Sequence, residues 1–247
     1  MIFAVDDRTK AIKAFWDQRG ATYGGKEQAT LGESDLRKLE IRAMSGMMRV
    51  LKPGRVLDAG CGNGYSTKTL ASAFPSSEFI GMDYSEPMIA AARLETPKNC
   101  AFLLGDVLLE ETYPAGRFDC VMTQRCIQNL PTYDHQRKAI TCMLGKLAPG
   151  GYLLLMECSH EGVHQLNRVR GILGKENLPD IEPWHNCFLS DKSLIDDFGA
   201  RVVSFASTYM FLSKVVSSRL SRVATLLPSI GRFGYDRLYI ITPSQAM

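Results

Sequence analysis

The chain has 247 residues, 45% of them apolar and 22% charged, which is enough to bury one sizeable core and is not the balance of a disordered polymer. A net charge of +3 and a pI near 8.4 lack the strong basic excess of a dedicated nucleic-acid binder, so no nucleic-acid partner is expected. No apolar run is long enough to span a bilayer, the N-terminus has no signal-peptide core, and the seven cysteines are scattered and include no Cys-x-x-Cys pair. The expectation is a cytoplasmic protein with reduced thiols and no stable membrane insertion.

In chain order, residues 7–20 put Ile12, Phe15 and Trp16 on one side of a first helix. A turn-rich stretch with Gly24-Gly25 follows, read as a loop able to order over a ligand. Residues 34–51 carry Leu36, Leu39, Ala43, Met47 and Val50 at helical spacing, with Ser34 as the expected cap. From Arg55 the pattern alternates. Strands are expected at 55–59, 78–83, 100–105, 118–123, 151–157, 201–209 and 236–242. Helices are expected at 64–74, 86–94, 133–147, 161–173, 191–198 and 215–226. Strands separated by helices predict a doubly wound, seven-stranded, mostly parallel α/β sheet in a single domain spanning 1–247, preceded by the helices of 1–52. Two segments break the rhythm: 174–190, with Pro179, Pro183 and Trp184-His185-Asn186, and 210–234. Both are read as insertions that cap an acceptor.

The strongest local signal is Val56-Leu57-Asp58-Ala59-Gly60-Cys61-Gly62-Asn63-Gly64, an apolar strand entering a glycine turn and then a helix. The next strand ends at Asp83, placed to accept from ribose hydroxyls, and the third leads to Asp106, placed to accept from an adenine amine. Asp58 would repel a pyrophosphate and favours a ligand with a cationic or donor-rich group, and Tyr65 stands where a dehydrogenase fingerprint wants Gly or Ala.

These residues resemble the class I S-adenosylmethionine (SAM)-dependent methyltransferases, small-molecule branch, over roughly residues 10–160. The resemblance implies a Rossmann-like fold and S-adenosyl-L-methionine as cofactor. It assigns Asp58, Gly60, Cys61 and Gly62 to the amino-acid portion of SAM, Asp83 to the ribose, and Tyr84, Met88, Gly105, Asp106 and Val107 to the adenine region. Gln124 and Arg125, at the end of the fourth strand, would touch the methionine part, Arg37 would pair with its carboxylate (Arg19 being the other choice), and Tyr23 would also bind the cofactor. Leu147-Ala148-Pro149-Gly150-Gly151 matches the turn before the family's fifth strand.

Methyl transfer to a hydroxyl needs a group to take its proton. Of the four histidines, His185 is the expected base, with His160 and Glu157 behind it, while Trp184, Asn186, Arg219 and Arg222 are expected to hold the acceptor. Cys158-x-His160-x-x-x-His164 lacks a fourth ligand and standard spacing, so no metal is expected. The expected acceptor is a small polar molecule, such as a sugar or an anionic sugar derivative, methylated on oxygen. N-methylation of a small amine and a catalytically silent SAM-binding scaffold are the alternatives.

Overall fold

A computed structural model describes residues 5–178 and 184–243, so Pro179 and Pro183 lie outside the described residues. Seven strands form one sheet: β1 (Arg55–Ala59), β2 (Glu78–Asp83), β3 (Cys100–Leu104), β4 (Phe118–Gln124), β5 (Leu147–Cys158), β6 (Arg201–Val203) and β7 (Asp236–Ile241). Their order is β3-β2-β1-β4-β5-β7-β6. The first five are mutually parallel, and β7 runs antiparallel to both β5 and β6. Strand order reverses between β1 and β4, and a crevice opens at the carboxyl ends of the strands at such a point.

Among the described residues, nine α-helical segments accompany the sheet: α1 (Val5–Tyr23), α2 (Ser34–Leu51), α3 (Tyr65–Ala73), α4 (Glu86–Ala92), α5 (Tyr133–Gly145), α6 (His160–Ile172), α7 (Asp191–Phe198), α8 (Ser207–Met210) and α9 (Ser221–Ala224). Alternate residues of the central strands supply two cores, because successive side chains point to opposite faces. Leu57, Val121 and Leu155 pack with Ile140 and Met143 of α5 and Leu194 of α7. Val56, Met122 and Leu154 pack with Met44 and Met48 of α2 and Leu70 of α3.

Three expectations change. The strand expected over 201–209 ends at Val203, and the chain turns to bury Tyr209 and Met210 in a third cluster with Leu36, Leu39 and Leu166. The helix expected over 215–226 is instead a π turn (Phe211–Val216), a 3-10 turn (Ser218–Leu220) and α9. Extended Ser217 separates the first two, its Oγ accepting from the Arg219 N–H, a local bond that competes with helix. Ser34 is the first residue of α2 rather than its cap, and Val50 is 76% exposed while Arg37 and Glu40 are buried.

Helix α6 meets the start of β7 at Gly162, where a Cβ would lie 2.4 Å from the Gly234 carbonyl oxygen and 2.6 Å from the Tyr235 Cα. Backbone cannot move aside as a flexible side chain can. Gly162→Ala is expected to lower stability by about 2–3 kcal/mol in urea unfolding. Gly171→Ala on the same helix meets nothing within 4 Å and should stabilise by about 0.5–1 kcal/mol.

Candidate functional site

The glycine turn between β1 and α3 is left-handed at three positions, with φ of 78° at Gly60, 54° at Gly62 and 71° at Gly64. L-residues avoid this region, and space is short as well: a Cβ on Gly62 would meet Thr30 Cγ2 at 2.6 Å. The turn is fastened from below and above. The Gly60 and Cys61 N–H groups donate to the Met82 carbonyl, and Gly62 N–H donates to Asp83 Oδ2 at 2.8 Å. Asn63, 1% exposed, donates from Nδ2 to the carbonyls of Gly24 and Lys26, both at 2.8 Å. The loop expected to order over a ligand is thereby tied to the turn itself. Nothing in the sequence pattern singled out Asn63.

Beside this turn lies a cavity of about 470 Å³. Its walls include Arg37, Asp58, Gly60, Cys61, Gly62, Asp83, Tyr84, Met88, Gly105, Asp106, Val107, Gln124 and Arg125. Asp58 is 2% exposed; its Oδ2 accepts from Thr67 Oγ at 2.5 Å, while Oδ1 has no hydrogen-bond partner among the described residues. Burial raises its pKa to about 7. Gln124 Oε1 is a second buried acceptor without a partner, its Nε2 facing Met156 sulfur at 3.6 Å. Asp83 also accepts from Ser85 N–H at 2.9 Å, and burial raises its pKa to about 6. Each of its oxygens keeps a second lone pair.

Arg37 is 4% exposed and donates to Thr30 Oγ at 2.7 Å and Ser66 Oγ at 3.1 Å, leaving Nε without a hydrogen-bond partner. Arg125 follows β4 with φ of 55°, and its guanidinium pairs with Glu40 at 2.7 Å and Asp236 at 2.9 Å. Burial alone would lower its pKa; the two carboxylates more than offset this. Arg125 reaches the cavity wall as expected of a residue near the methionine part, but its guanidinium is held by Glu40 of α2 and Asp236 of β7. Arg19, the alternative to Arg37, holds the Ala29 carbonyl at 2.7 Å and faces the rings of Phe15 and Tyr23.

The other expected site residues are not in the cavity wall. Tyr23 ends α1, 38% exposed against Arg19. Glu157 is 1% exposed; Oε1 accepts from Thr123 Oγ and from the Cys126 and Ile127 N–H groups, and Oε2 from the Gln128 N–H. It caps the turn after β4, and burial raises its pKa to about 7. His160 is exposed at the start of α6, with its Nε2 3.3 Å from that of His164, and no metal-holding group of three or more His, Cys, Asp or Glu occurs among the described residues. His185 is 6% exposed in an aromatic cluster with Phe15, Trp16 and Trp184, of which only Trp16 lines the cavity. Asn186 accepts on Oδ1 from Gln128 Nε2 at 3.2 Å. Arg219 and Arg222 are exposed, and neither 174–190 nor 210–234 supplies a wall residue among those described. The cap is formed instead by α1, through Thr9, Lys10, Ile12, Lys13 and Trp16, and by Asn129, Leu130 and Pro131 after β4. Periodicity had marked the apolar members of α1 as core, and its lysines carried no signal of their own.

Removing Arg125 leaves Asp236, 3% exposed, as a buried carboxylate without its cation, and Glu40, 0% exposed, with only Arg37 at 3.9 Å. Arg125→Ala should cost about 3–5 kcal/mol, read from denaturant midpoints. A loss under about 1 kcal/mol would mean that water reaches these carboxylates.

Comparison with known proteins follows the same division. Residues 56–151 match the methyltransferase domain model. The chain is 35% identical over 117 residues to trans-aconitate 2-methyltransferase of Variovorax paradoxus, a match covering 47% of this chain and 43% of that enzyme. The enzyme of the same name from Methylobacterium radiotolerans is 36% identical over 119 residues, covering 47% and 44%. The chain thus spans less than half the length of these curated relatives. Among solved structures, magnesium protoporphyrin IX methyltransferase from Synechocystis PCC 6803 with bound SAH has a TM-score of 0.59 at 18% identity, covering 94% of this chain and 98% of that one. The DhpI–SAM–HEP complex also has a TM-score of 0.59, at 15% identity, covering 98% of this chain and 100% of that one. At such identities the likeness is one of fold. Residues 56–151 thus form a methyltransferase domain, set in a fold shared with SAM- and SAH-bound methyltransferases.

Proposed function

We propose that this protein is a SAM-dependent methyltransferase whose acceptor is a small carboxylic acid. The observation that carries the cofactor half is the pair of buried acceptors without partners, Asp58 Oδ1 and Gln124 Oε1, beside the glycine turn. An α-ammonium group satisfies both, whereas a pyrophosphate would set negative charge against them. The free lone pairs of Asp83 suit ribose hydroxyls, the Arg37 guanidinium suits the amino-acid carboxylate, and Tyr84, Met88, Asp106 and Val107 suit a purine with an exocyclic amine. Bound SAM supplies an electrophilic methyl group on its sulfonium. The work left to the chain is to hold the acceptor in line and to exclude water.

The acceptor half rests on what remains of the wall. Among the described residues the lining contains no imidazole, and its only carboxylates are Asp58, Asp83 and Asp106, all assigned above to the cofactor. A sugar hydroxyl would lack a base there, but a carboxylate is already ionised near pH 7 and can attack without one. Lys10 supplies positive charge at the cavity wall for the remaining charge of a polyacid, while Lys13 beside it is paired with Asp17 at 2.7 Å. The organic acid in the names of the curated relatives supports the same reading.

Two outcomes are expected. SAM affinity, measured by calorimetry, should fall as pH drops through 7 and 6, because protonating Asp58 and Asp83 removes the charges that receive the ammonium and the ribose hydroxyls. The slope should approach about tenfold per pH unit for one linked proton, and Asp58→Asn should flatten it while weakening binding at pH 7.5. Transfer from methyl-labelled SAM, screened across di- and tricarboxylates, neutral sugars and amines, should yield a base-labile methyl ester. Lys10→Ala should raise the acceptor KM about tenfold with little change in kcat. Preferential labelling of neutral sugars would overturn the carboxylate reading and leave the cofactor reading standing.

A further inference from the structure

The chain between β6 and β7 leaves the sheet after Val203 and returns at Asp236, paired with Cys158 at the carboxyl end of β5. It therefore lies along the sheet edge at which the cavity opens, yet it adds nothing to the cavity wall. Between Asp197 and Asp236 there is no acidic residue. Of the cations between Val203 and Asp236, Lys214 pairs with Glu33 at 2.7 Å, while Arg219, Arg222 and Arg232 are exposed and make no ion pair among the described residues.

Large apolar side chains share this surface. Leu226 is 78% exposed, Ile230 74% and Val223 54%, with Phe211, Val216 and Leu227 each more than 40% exposed. The backbone beneath them is held firmly. Arg42 donates to the Thr225 carbonyl at 2.8 Å, Lys175 to that of Val216 at 2.8 Å, and Thr208 Oγ to that of Pro228 at 2.7 Å. Tyr209, Met210, Val215 and Ala224 bury the inner side. The segment is thus a fixed platform with protruding apolar tips among unpaired arginines, not a loose loop with hydrophobes turned out by chance.

We infer that this platform docks the protein on an anionic lipid surface, with Leu226 and Ile230 entering the headgroup–acyl boundary and Arg219, Arg222 and Arg232 meeting lipid phosphates. Charge decides among occupants. A two-fold contact with a second copy would bring the same arginines toward one another with no acid to separate them. A nucleic acid would take up the arginines but leave the aliphatic tips no apolar environment. A bilayer interface with negative headgroups satisfies both at once. The inference is independent of the acceptor proposed above.

The test is flotation of the full chain with vesicles of phosphatidylcholine alone or mixed with phosphatidylglycerol. Binding is expected only to the mixed vesicles and should weaken as salt is raised. Arg219→Glu/Arg222→Glu/Arg232→Glu should lower partitioning by at least ~100-fold, and Leu226→Ser/Ile230→Ser should also lower it while the melting temperature is kept. Absence of flotation with the mixed vesicles overturns the inference. So does equal binding to both vesicle types, or binding indifferent to the Leu226/Ile230 pair. Concentration-dependent dimerisation abolished by the same variants, with no vesicle binding, would assign the platform to a second copy and overturn it too.

Discussion

The site depends on one hydrogen bond more than any other, the Gly62 N–H donating to Asp83 Oδ2. It joins the turn after β1 to the end of β2 and holds a backbone that is left-handed at three of five residues. That conformation turns the chain sharply enough to start α3 at Tyr65 and lets Thr30 close over the turn. The same bond occupies only one lone pair of Asp83. One carboxylate can therefore fasten the turn and still receive a ligand.

Around this point the protein accepts costs that a purely structural design would avoid. Asp58 and Gln124 keep buried acceptors without partners, and burial raises the pKa values of Asp58 and Asp83. In the ligand-free protein these groups weaken the fold as pH rises from the unfolded carboxylate range toward 7, because the unfolded chain ionises them freely and the folded chain does not. A cation bound beside them reverses that penalty, which links stability directly to occupancy. A second layer holds the frame: Arg37 and Glu40 of α2, Arg125 after β4 and Asp236 at the start of β7 bring two guanidiniums and two carboxylates together where water is scarce. Pairing Arg125 with Asp236 ties the cofactor half of the sheet to its antiparallel edge.

How much of this was legible in the sequence depended on how local the cause was. The glycine turn, Asp83 and the strand–helix alternation are written in neighbouring residues, and the seven-stranded sheet follows from them. The side chains that decide the acceptor end are set by tertiary placement. His185 looked available because it sits in an irregular segment beside Trp184, yet Phe15 and Trp16, some 170 residues earlier in the chain, bury it. Glu157 stands at a strand end, a usual place for a catalytic acid, but four donors from β4 and the following turn consume it. Glu40 and Asn63 carry no sequence mark at all: one reads as a polar helix face, the other as a spacer between glycines. Arg219 and Arg222 were expected to hold the acceptor because they are basic and follow the cofactor motifs, but charge and chain order do not fix position, and both are exposed outside the cavity wall.

The most direct test of the central claim is a crystal structure of the protein with S-adenosylhomocysteine. The account predicts ribose hydroxyls on Asp83, the ammonium within hydrogen-bond distance of Asp58 Oδ1 and Gln124 Oε1, and the carboxylate against Arg37. A nucleoside bound away from the Gly60–Gly64 turn, or an ammonium that leaves both buried acceptors without partners, would contradict it.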